Sequence, residues 1–293
     1  MSKLPDFLGP YRLAKFIRSG NACQIWEAIR DQKDRFVLKV LRPDQWGDKD
    51  ETAYLKHEFD VAGGLDHPSI IRIHEFNTEG KIAYIVLDVF SVLNIKQAMR
   101  ENLAHVHWHS AKIAQQAAMA LGHMHEKGWV HCDVKPDNFL LNEDGEIKLI
   151  DFTIARKAAK GMLGRMFGKA KVIRGTRSYM SPEQIRGQPV DGRSDIYALG
   201  CVYYELLTGK PPYVGDNPND LLQRHLTAGI PSAIVYNEDV TSEMNDLIRR
   251  MLSKKAENRP QRMIDVVKEL KSLKPLKVLP KLPEPEASQE SSE

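Results

Sequence analysis

His131-Cys132-Asp133-Val134-Lys135-Pro136-Asp137-Asn138 and, further on, Asp151-Phe152-Thr153 place the hard-oxygen side chains of Asp133, Asn138 and Asp151 in two short loops. Asp133 and Asn138 follow a helical run that begins at Ser110, and Asp151 follows the strand-like Ile147-Lys148-Leu149-Ile150. Magnesium prefers a few protein oxygens completed by phosphate and water, so Asp133, Asn138 and Asp151 suit it as a set. Any one of them alone is an ordinary loop residue.

Upstream of this stretch the chain reads as short β-rich runs, Tyr11 to Ile17, Gln24 to Ile29, Phe36 to Leu41, Ile70 to Phe76 and Ile82 to Leu87, several of them separated by turn formers such as Asp31, Asp34, Asn77 and Gly80. One helical stretch, from about Lys49 to Leu65, interrupts this antiparallel sheet, with Tyr54, Leu55, Phe59 and Ala62 near helical spacing. After Ser91 helices dominate: Ser110 to His125, Ile196 to Leu207, Ser242 to Leu252 and Met263 to Leu273. Met244, Leu247, Ile248, Met251 and Leu252 share one apolar face, with Thr241 as its cap. The fold class expected is α+β: a β-rich lobe over residues 1–90, a helical lobe over 91–273, and a tail over 274–293. The tail is rich in proline, then in glutamate and serine, and is expected to stay extended or disordered.

Composition narrows the class. At 293 residues the chain exceeds one average domain, and two packed lobes around a cleft use nearly all of it. With 42% hydrophobic and 28% charged residues it is neither a disordered nor a membrane-embedded sequence. A net charge of +3 is too small to argue for nucleic-acid binding. Cys23, Cys132 and Cys201 show no zinc spacing and no disulfide framework, the N-terminus lacks signal-peptide features, and no apolar run is long enough to cross a bilayer; a cytoplasmic location is expected. His105, His107 and His109 alternate but have no carboxylate or cysteine nearby, which favours a surface loop over a metal site.

The two opening motifs resemble the catalytic and metal-binding loops of protein kinases, and their order and spacing are specific. The resemblance implies a two-lobed protein-kinase-like fold using ATP and Mg2+, with Mn2+ as an alternative ion. Asp133 would orient the acceptor hydroxyl and take its proton, and Asn138 and Asp151 would hold the metal. Lys135, two residues after the base, is similar to the serine/threonine-kinase loop and would contact the transferring phosphate. Phe36-Val37-Leu38-Lys39 resembles the strand whose lysine grips the phosphates, and Glu58, Leu65, His67, Pro68 and Ile70 match the spacing of its helix partner, Glu58. By the same resemblance Ile17, Ile25, Val37, Leu87, Leu140 and Ile150 wall the adenine slot. Asp88 to Phe90 form the hinge, and Asn94 contacts the ribose. Gly175 to Glu183 resembles the end of an activation segment, with Thr176 near Asp133 and Lys135. Glu183 would pair with Arg259, while Asp195 and Gly200 match the supporting helix. The match runs from about Tyr11 to Leu273 and looks like bacterial kinases of the eukaryotic-like group.

Several residues depart from that pattern. In Ile17-Arg18-Ser19-Gly20-Asn21-Ala22-Cys23-Gln24-Ile25 only Gly20 remains of three expected glycines, and side chains at Arg18 and Cys23 limit backbone approach to phosphate. Val37 replaces an alanine and should crowd the adenine slot. Thr153 replaces the glycine after Phe152, which disfavours inversion of that segment. Cys132 stands where an arginine would bind an activating phosphate, so activity without that latch is expected from this non-RD loop. Arg156, Lys157, Lys160, Arg165, Lys169, Lys171, Arg174 and Arg177 carry no acidic residue among them, which suits an acidic protein substrate with a serine or threonine acceptor, an anionic partner, or a solvated loop. A pseudokinase scaffold or nucleotide sensor is the alternative, supported by the degraded glycine loop, Val37 and Thr153. No specific nucleic acid is expected as a partner.

Overall fold

The structure, a computed structural model, describes residues 4–91, 93–158 and 175–281. Six antiparallel strands form the first sheet: β1 (Phe7–Leu8), β2 (Tyr11–Ser19), β3 (Cys23–Arg30), β4 (Asp34–Leu41), β5 (Ile73–Glu79) and β6 (Ile82–Leu87), in the order β1-β2-β3-β4-β6-β5. The alternation of β4 puts Leu38 and Val40 against Tyr11, Ala28, Tyr84 and Val86 on one face, and Val37 and Lys39 on the other. Helix α1 (Lys49–Ala62) lies against β5 and β6, its first turn held by the Asp48 carboxylate, which accepts from the backbone N–H groups of Asp50 and Glu51.

The second part is helical: α2 (Ile95–Glu101), α3 (Leu103–Trp108), α4 (Ser110–Glu126), α5 (Pro182–Ile185), α6 (Gly192–Thr208), α7 (Pro218–Thr227), α8 (Ser242–Met251) and α9 (Met263–Ser272). Between α4 and α5 lie β7 (Trp129–Val130), β8 (Phe139–Leu141), β9 (Ile147–Leu149) and β10 (Arg156–Lys157), paired β8 with β9 and β7 with β10. Every residue of α6 from Ser194 to Leu207 is buried, so this helix is the axis on which α4, α8 and α9 pack. Ala114, Ala117, Ala118 and Ala120 keep α4 thin enough for close contact. Gly200 is required by the same logic, because a Cβ there would stand 2.9 Å from Met251 Cβ. Among the described residues no helix is long and apolar enough to cross a membrane.

Three expectations need correction. The run starting at Ile70 is not strand until Ile73; instead Ser69 O accepts from Leu149 N at 2.8 Å and Ile71 N donates to Leu149 O at 3.0 Å, stitching the first part to β9. His105 and His107 lie in α3 rather than a surface loop, and His107 Nε2 donates to Leu206 O at 3.0 Å, anchoring α3 to α6. The start of the tail is packed: Leu276 is buried, Thr241 N donates to Pro275 O (3.1 Å) and Lys277 N to Asp239 O (2.7 Å). Residues 282–293 lie outside the described residues.

Candidate functional site

Strand register builds the roof of a cleft between the sheet and the helices. Ile25 faces Lys39 across β3 and β4, and Val37 faces Leu87 across β4 and β6, so an aliphatic wall and a cation share one face. The resulting cavity holds about 600 Å³, a size that suits a nucleotide-sized ligand. Ile17, Gly20, Ile25, Val37, Leu87, Asp88, Phe90, Leu140 and Ile150 line it as expected from sequence, together with Lys39, Glu58, Asp133, Asn138 and Asp151. Asn94 does not line it. Its side chain accepts from Gln97 N at 2.9 Å while Asn94 N donates back to Gln97 Oε1, so the residue is spent as the cap of α2. Ser91 lines the cavity next to the hinge instead, a hydroxyl that sequence reasoning passed over.

Lys39 Nζ stands 2.6 Å from Glu58 Oε2 and 3.3 Å from Asp151 Oδ1. Burial favours the neutral amine, but the carboxylates of Asp151 and Glu58 outweigh it and hold the ammonium charged. Burial likewise pushes Asp151 up, yet Lys39 and the Thr153 hydroxyl bring its carboxyl well below the usual range. Thr153 Oγ1 is 2.6 Å from Asp151 Oδ1 and 3.2 Å from Glu58 Oε2, a cross-brace where a glycine would offer none. Phe152 is fully buried, edge-on to His131 at 5.7 Å.

The loop after β7 is held from below. Asp195 on α6 is buried and accepts from His131 N (2.8 Å), Cys132 N (2.9 Å) and His125 Nε2 (2.8 Å). His131 ties the two loops together: Nδ1 accepts from Asp133 N at 3.2 Å, so Nε2 carries the proton donated to Ile150 O at 3.2 Å. Cys132 and Asp151 both adopt φ of 67°, a left-handed conformation uncommon for non-glycine residues and found where a scaffold over-determines a site. Asp133 is then fully engaged. Its Oδ1 accepts from Thr176 N (2.8 Å) and Thr176 Oγ1 (3.0 Å), and its Oδ2 meets Lys135 Nζ at 2.6 Å. Lys135 Nζ also donates to Thr176 Oγ1 at 2.8 Å. Gly175 makes that approach possible: with φ of 126°, a Cβ there would be 3.2 Å from Cys132 O.

Asn138, in the 3-10 turn Pro136–Asn138, donates from Nδ2 to Asp133 O at 2.8 Å, which leaves its amide oxygen as the end free to bind a cation. With the ionised Asp151 lining the same cavity, the donor set is hard oxygen throughout and fits magnesium or manganese.

The departures have physical consequences. Arg18, Ser19, Asn21, Ala22 and Cys23 join Gly20 in lining the cavity; Gly20 N donates to Cys23 O at 2.8 Å and Arg42 Nη1 donates to Gly20 O at 3.2 Å, tying down a loop short of glycines. Burial pushes the Cys23 thiol up to about 12, with Lys39 opposing. Iodoacetamide at pH 8 is therefore expected to label Cys23 about a hundredfold more slowly than a free cysteine. Peptide mass mapping of a time course checks this, and labelling at the free-thiol rate contradicts it. Cys132 is buried with Val130 and Val190, against Ile154 and Ala158, so an apolar cluster sits where a phosphate-binding cation would be needed. Of the basic run, Arg156, Lys157 and Arg177 are described, with Lys157 Nζ stacked 3.8 Å over Trp129, whereas Lys160, Arg165, Lys169, Lys171 and Arg174 lie outside the described residues. Away from the cleft, Arg259 Nη1 and Nη2 donate to the two Glu183 oxygens at 2.8 and 3.0 Å.

Comparison with known proteins follows the same span. The family profile described as "Protein kinase domain" matches residues 11–271. Serine/threonine-protein kinase PknB of Mycolicibacterium smegmatis is 32% identical over 257 residues, covering 86% of this chain and 41% of that protein. A probable serine/threonine-protein kinase of Clostridium acetobutylicum is 32% identical over 261 residues, covering 89% and 39%. Another, of Streptomyces coelicolor, is 31% identical over 258 residues, covering 86% and 38%. The chain spans about two fifths of the length of these relatives. A sheet of six antiparallel strands over a helical bundle, the cleft between them and the matched residues 11–271 together establish that the chain belongs to the protein kinase domain family.

Proposed function

We propose that this chain is an active serine/threonine protein kinase that transfers the γ-phosphate of ATP to a protein hydroxyl and needs no phosphate latch. The observation that carries the reading is Asp133: both carboxylate oxygens are oriented, one by Thr176 and the other by Lys135. A serine or threonine hydroxyl brought to Asp133 gives its proton to the carboxylate as its oxygen bonds to the γ-phosphorus and the bond to the departing ADP oxygen breaks. Lys135 steadies charge on the phosphoryl oxygens, and Lys39, held charged by Glu58 and Asp151, grips the inner phosphates. Asn138 and Asp151 would hold magnesium or manganese, which when bound neutralises the triphosphate. Residues 1–90 supply the nucleotide roof and residues 91–273 the acceptor floor. Serine/threonine specificity rests on Lys135 and on what the relatives' names state for those proteins.

A pseudokinase retains no reason to keep Lys39, Glu58, Asp133, Asn138 and Asp151 all engaged on one cavity. The Thr153 brace favours a segment that stays in the active arrangement, and the cysteines, free among the described residues, fit a reducing cytoplasm. The test is transfer of labelled phosphate to generic protein substrates by phosphatase-treated protein, with the acceptor identified by mass spectrometry. Most of the untreated activity should survive dephosphorylation, because Cys132 offers a phosphate no cation. A large loss restored by autophosphorylation rejects the latch-free reading, and ATP-dependent thermal stabilisation without transfer favours the scaffold.

A further inference from the structure

The ladder between β2 and β3 decides which face Arg18 takes. Phe16 pairs with Trp26 and the next pair is Arg18 with Ile25, so β2 carries one extra residue at this point. Without that bulge Arg18 would stand opposite Gln24. Gln24 Oε1 accepts from Trp26 Nε1 at 3.2 Å on the outer face of the sheet, where Phe16 meets Trp26 edge-on and is 46% exposed. The bulge turns Arg18 inward instead: Arg18 pairs with Ile25, Ile25 pairs with Lys39, and all three line the cleft.

Register also sets its depth. Val37 and Leu87 mark one level of the cleft, and Lys39, two residues along β4, marks the next. Arg18 stands at the Lys39 level, on the other flank of Ile25, so two cations bracket the same end of the cavity. Lys39 is committed to Glu58 and Asp151. Arg18 is half-buried, and its guanidinium has no hydrogen bond or ion pair among the described residues. Six carboxylates line the cavity against these two cations, a balance that opposes a polyanion unless its charge is met. Arg18 is the cation left to meet it, and a guanidinium presents a planar fork of N–H donors that matches phosphate oxygens.

We propose that Arg18 is a phosphate-binding residue: its guanidinium contacts the triphosphate of the nucleotide from β2, across Ile25 from Lys39, and takes over from the backbone N–H groups that the missing glycines no longer bring close. This deepens the protein-kinase reading above and rests on it. A side chain that only roofed the adenine would serve adenosine as well as ATP, and a solvated one would serve neither, which separates the three roles.

The experiment is competition against a fluorescent adenine nucleotide, in Mg2+ and without protein substrate, which gives Kd for ATP and for adenosine. Arg18→Ala should weaken ATP about tenfold and leave adenosine within about twofold. Arg18→Gln removes the charge but keeps a polar stem and should match alanine, whereas Arg18→Lys should stay within about threefold of the parent. Added salt should cost the parent more ATP affinity than it costs Arg18→Ala, because a charge pair is screened in one and absent in the other. The glutamine and lysine variants carry the comparison if the alanine variant melts early. ATP binding unchanged by the loss of the guanidinium, or an equal loss for adenosine, overturns the proposal. Phosphoryl transfer measured on the same proteins keeps the two readings apart. Weaker ATP binding by Arg18→Gln in a protein that phosphorylates nothing upholds Arg18 and rejects the kinase reading; normal transfer with ATP binding unchanged by Arg18→Gln rejects Arg18 alone.

Discussion

Asp151→Asn is expected to lower phosphoryl transfer on the order of a thousandfold while leaving the fold intact. The carboxylate is ionised, held well below the usual range, and lines the cavity beside Asn138, so the substitution removes a full negative charge where the metal would be held. Three facts protect the folded state. Asn tolerates left-handed backbone best after glycine, and position 151 has φ of 67°. The new amide oxygen can still accept from Thr153. Lys39 keeps Glu58 at 2.6 Å, so a triad with net charge −1 becomes a neutral pair rather than a stranded ammonium. Initial-rate assays beside thermal melting check the outcome; residual activity above about a tenth of the parent's, in a folded protein, would remove Asp151 from the machinery.

Arg259→Ala should be strongly destabilising, costing about 3–5 kcal/mol because it strands a carboxylate whose side chain is only 12% exposed. The Arg259 side chain is fully buried, and besides Glu183 it donates to Arg193 O (2.9 Å), Ser253 O (2.8 Å) and Lys254 O (3.2 Å) and lies 4.9 Å from the Tyr197 ring. The bonds to Glu183 and Arg193 tie the loop before α9 to the starts of α5 and α6, and those to Ser253 and Lys254 hold that loop against the segment that follows α8. At about 2–4 °C per kcal/mol for a domain of this size, the melting temperature should fall by about 10 °C. Arg259→Lys should recover little, since an ammonium cannot reproduce the bidentate fork. Burial pushes the Glu183 carboxyl up, but Arg259 and the Ser194 hydroxyl outweigh it and leave it lowered. The pair's contribution is then complete above the ordinary glutamate range and lost as pH falls through the lowered value. Melting curves across acid pH check this: if parent and Arg259→Ala differ equally at all pH values, the ion pair is not the source of the loss.

Much of the site was legible because its residues sit at fixed offsets within single elements. Val37 and Lys39 share a strand face by two-residue alternation, and Asp133, Lys135 and Asn138 fall in one loop whose length allows little choice. Glu58 is legible only through the spacing of Glu58, Leu65, His67, Pro68 and Ile70, which resembles that of protein kinases. Asn94 shows where this fails: its residue type suits either a polar contact or a helix cap, and the cap prevailed because Gln97 stands at the reciprocal position. The packed start of the tail was equally hidden, since a proline-rich stretch looks solvated until Leu276 finds a buried place beside Val240.

The sequence by itself determined the order of elements and the β-rich and helical halves, because periodicity is a local property of the chain, and the groups around the cleft were named through the resemblance of its motifs to those of protein kinases. Tertiary structure alone decided that Asp195 grips the successive backbone N–H groups of His131 and Cys132, that Thr153 bridges Asp151 and Glu58, and that Lys96 pairs with Glu205. These pairs join residues from 2 to 109 positions apart, and whether such groups meet depends on how buried helices and strands cross. Within the dense interior that crossing is set by side-chain volumes summed over the whole core, a quantity no short stretch of sequence contains.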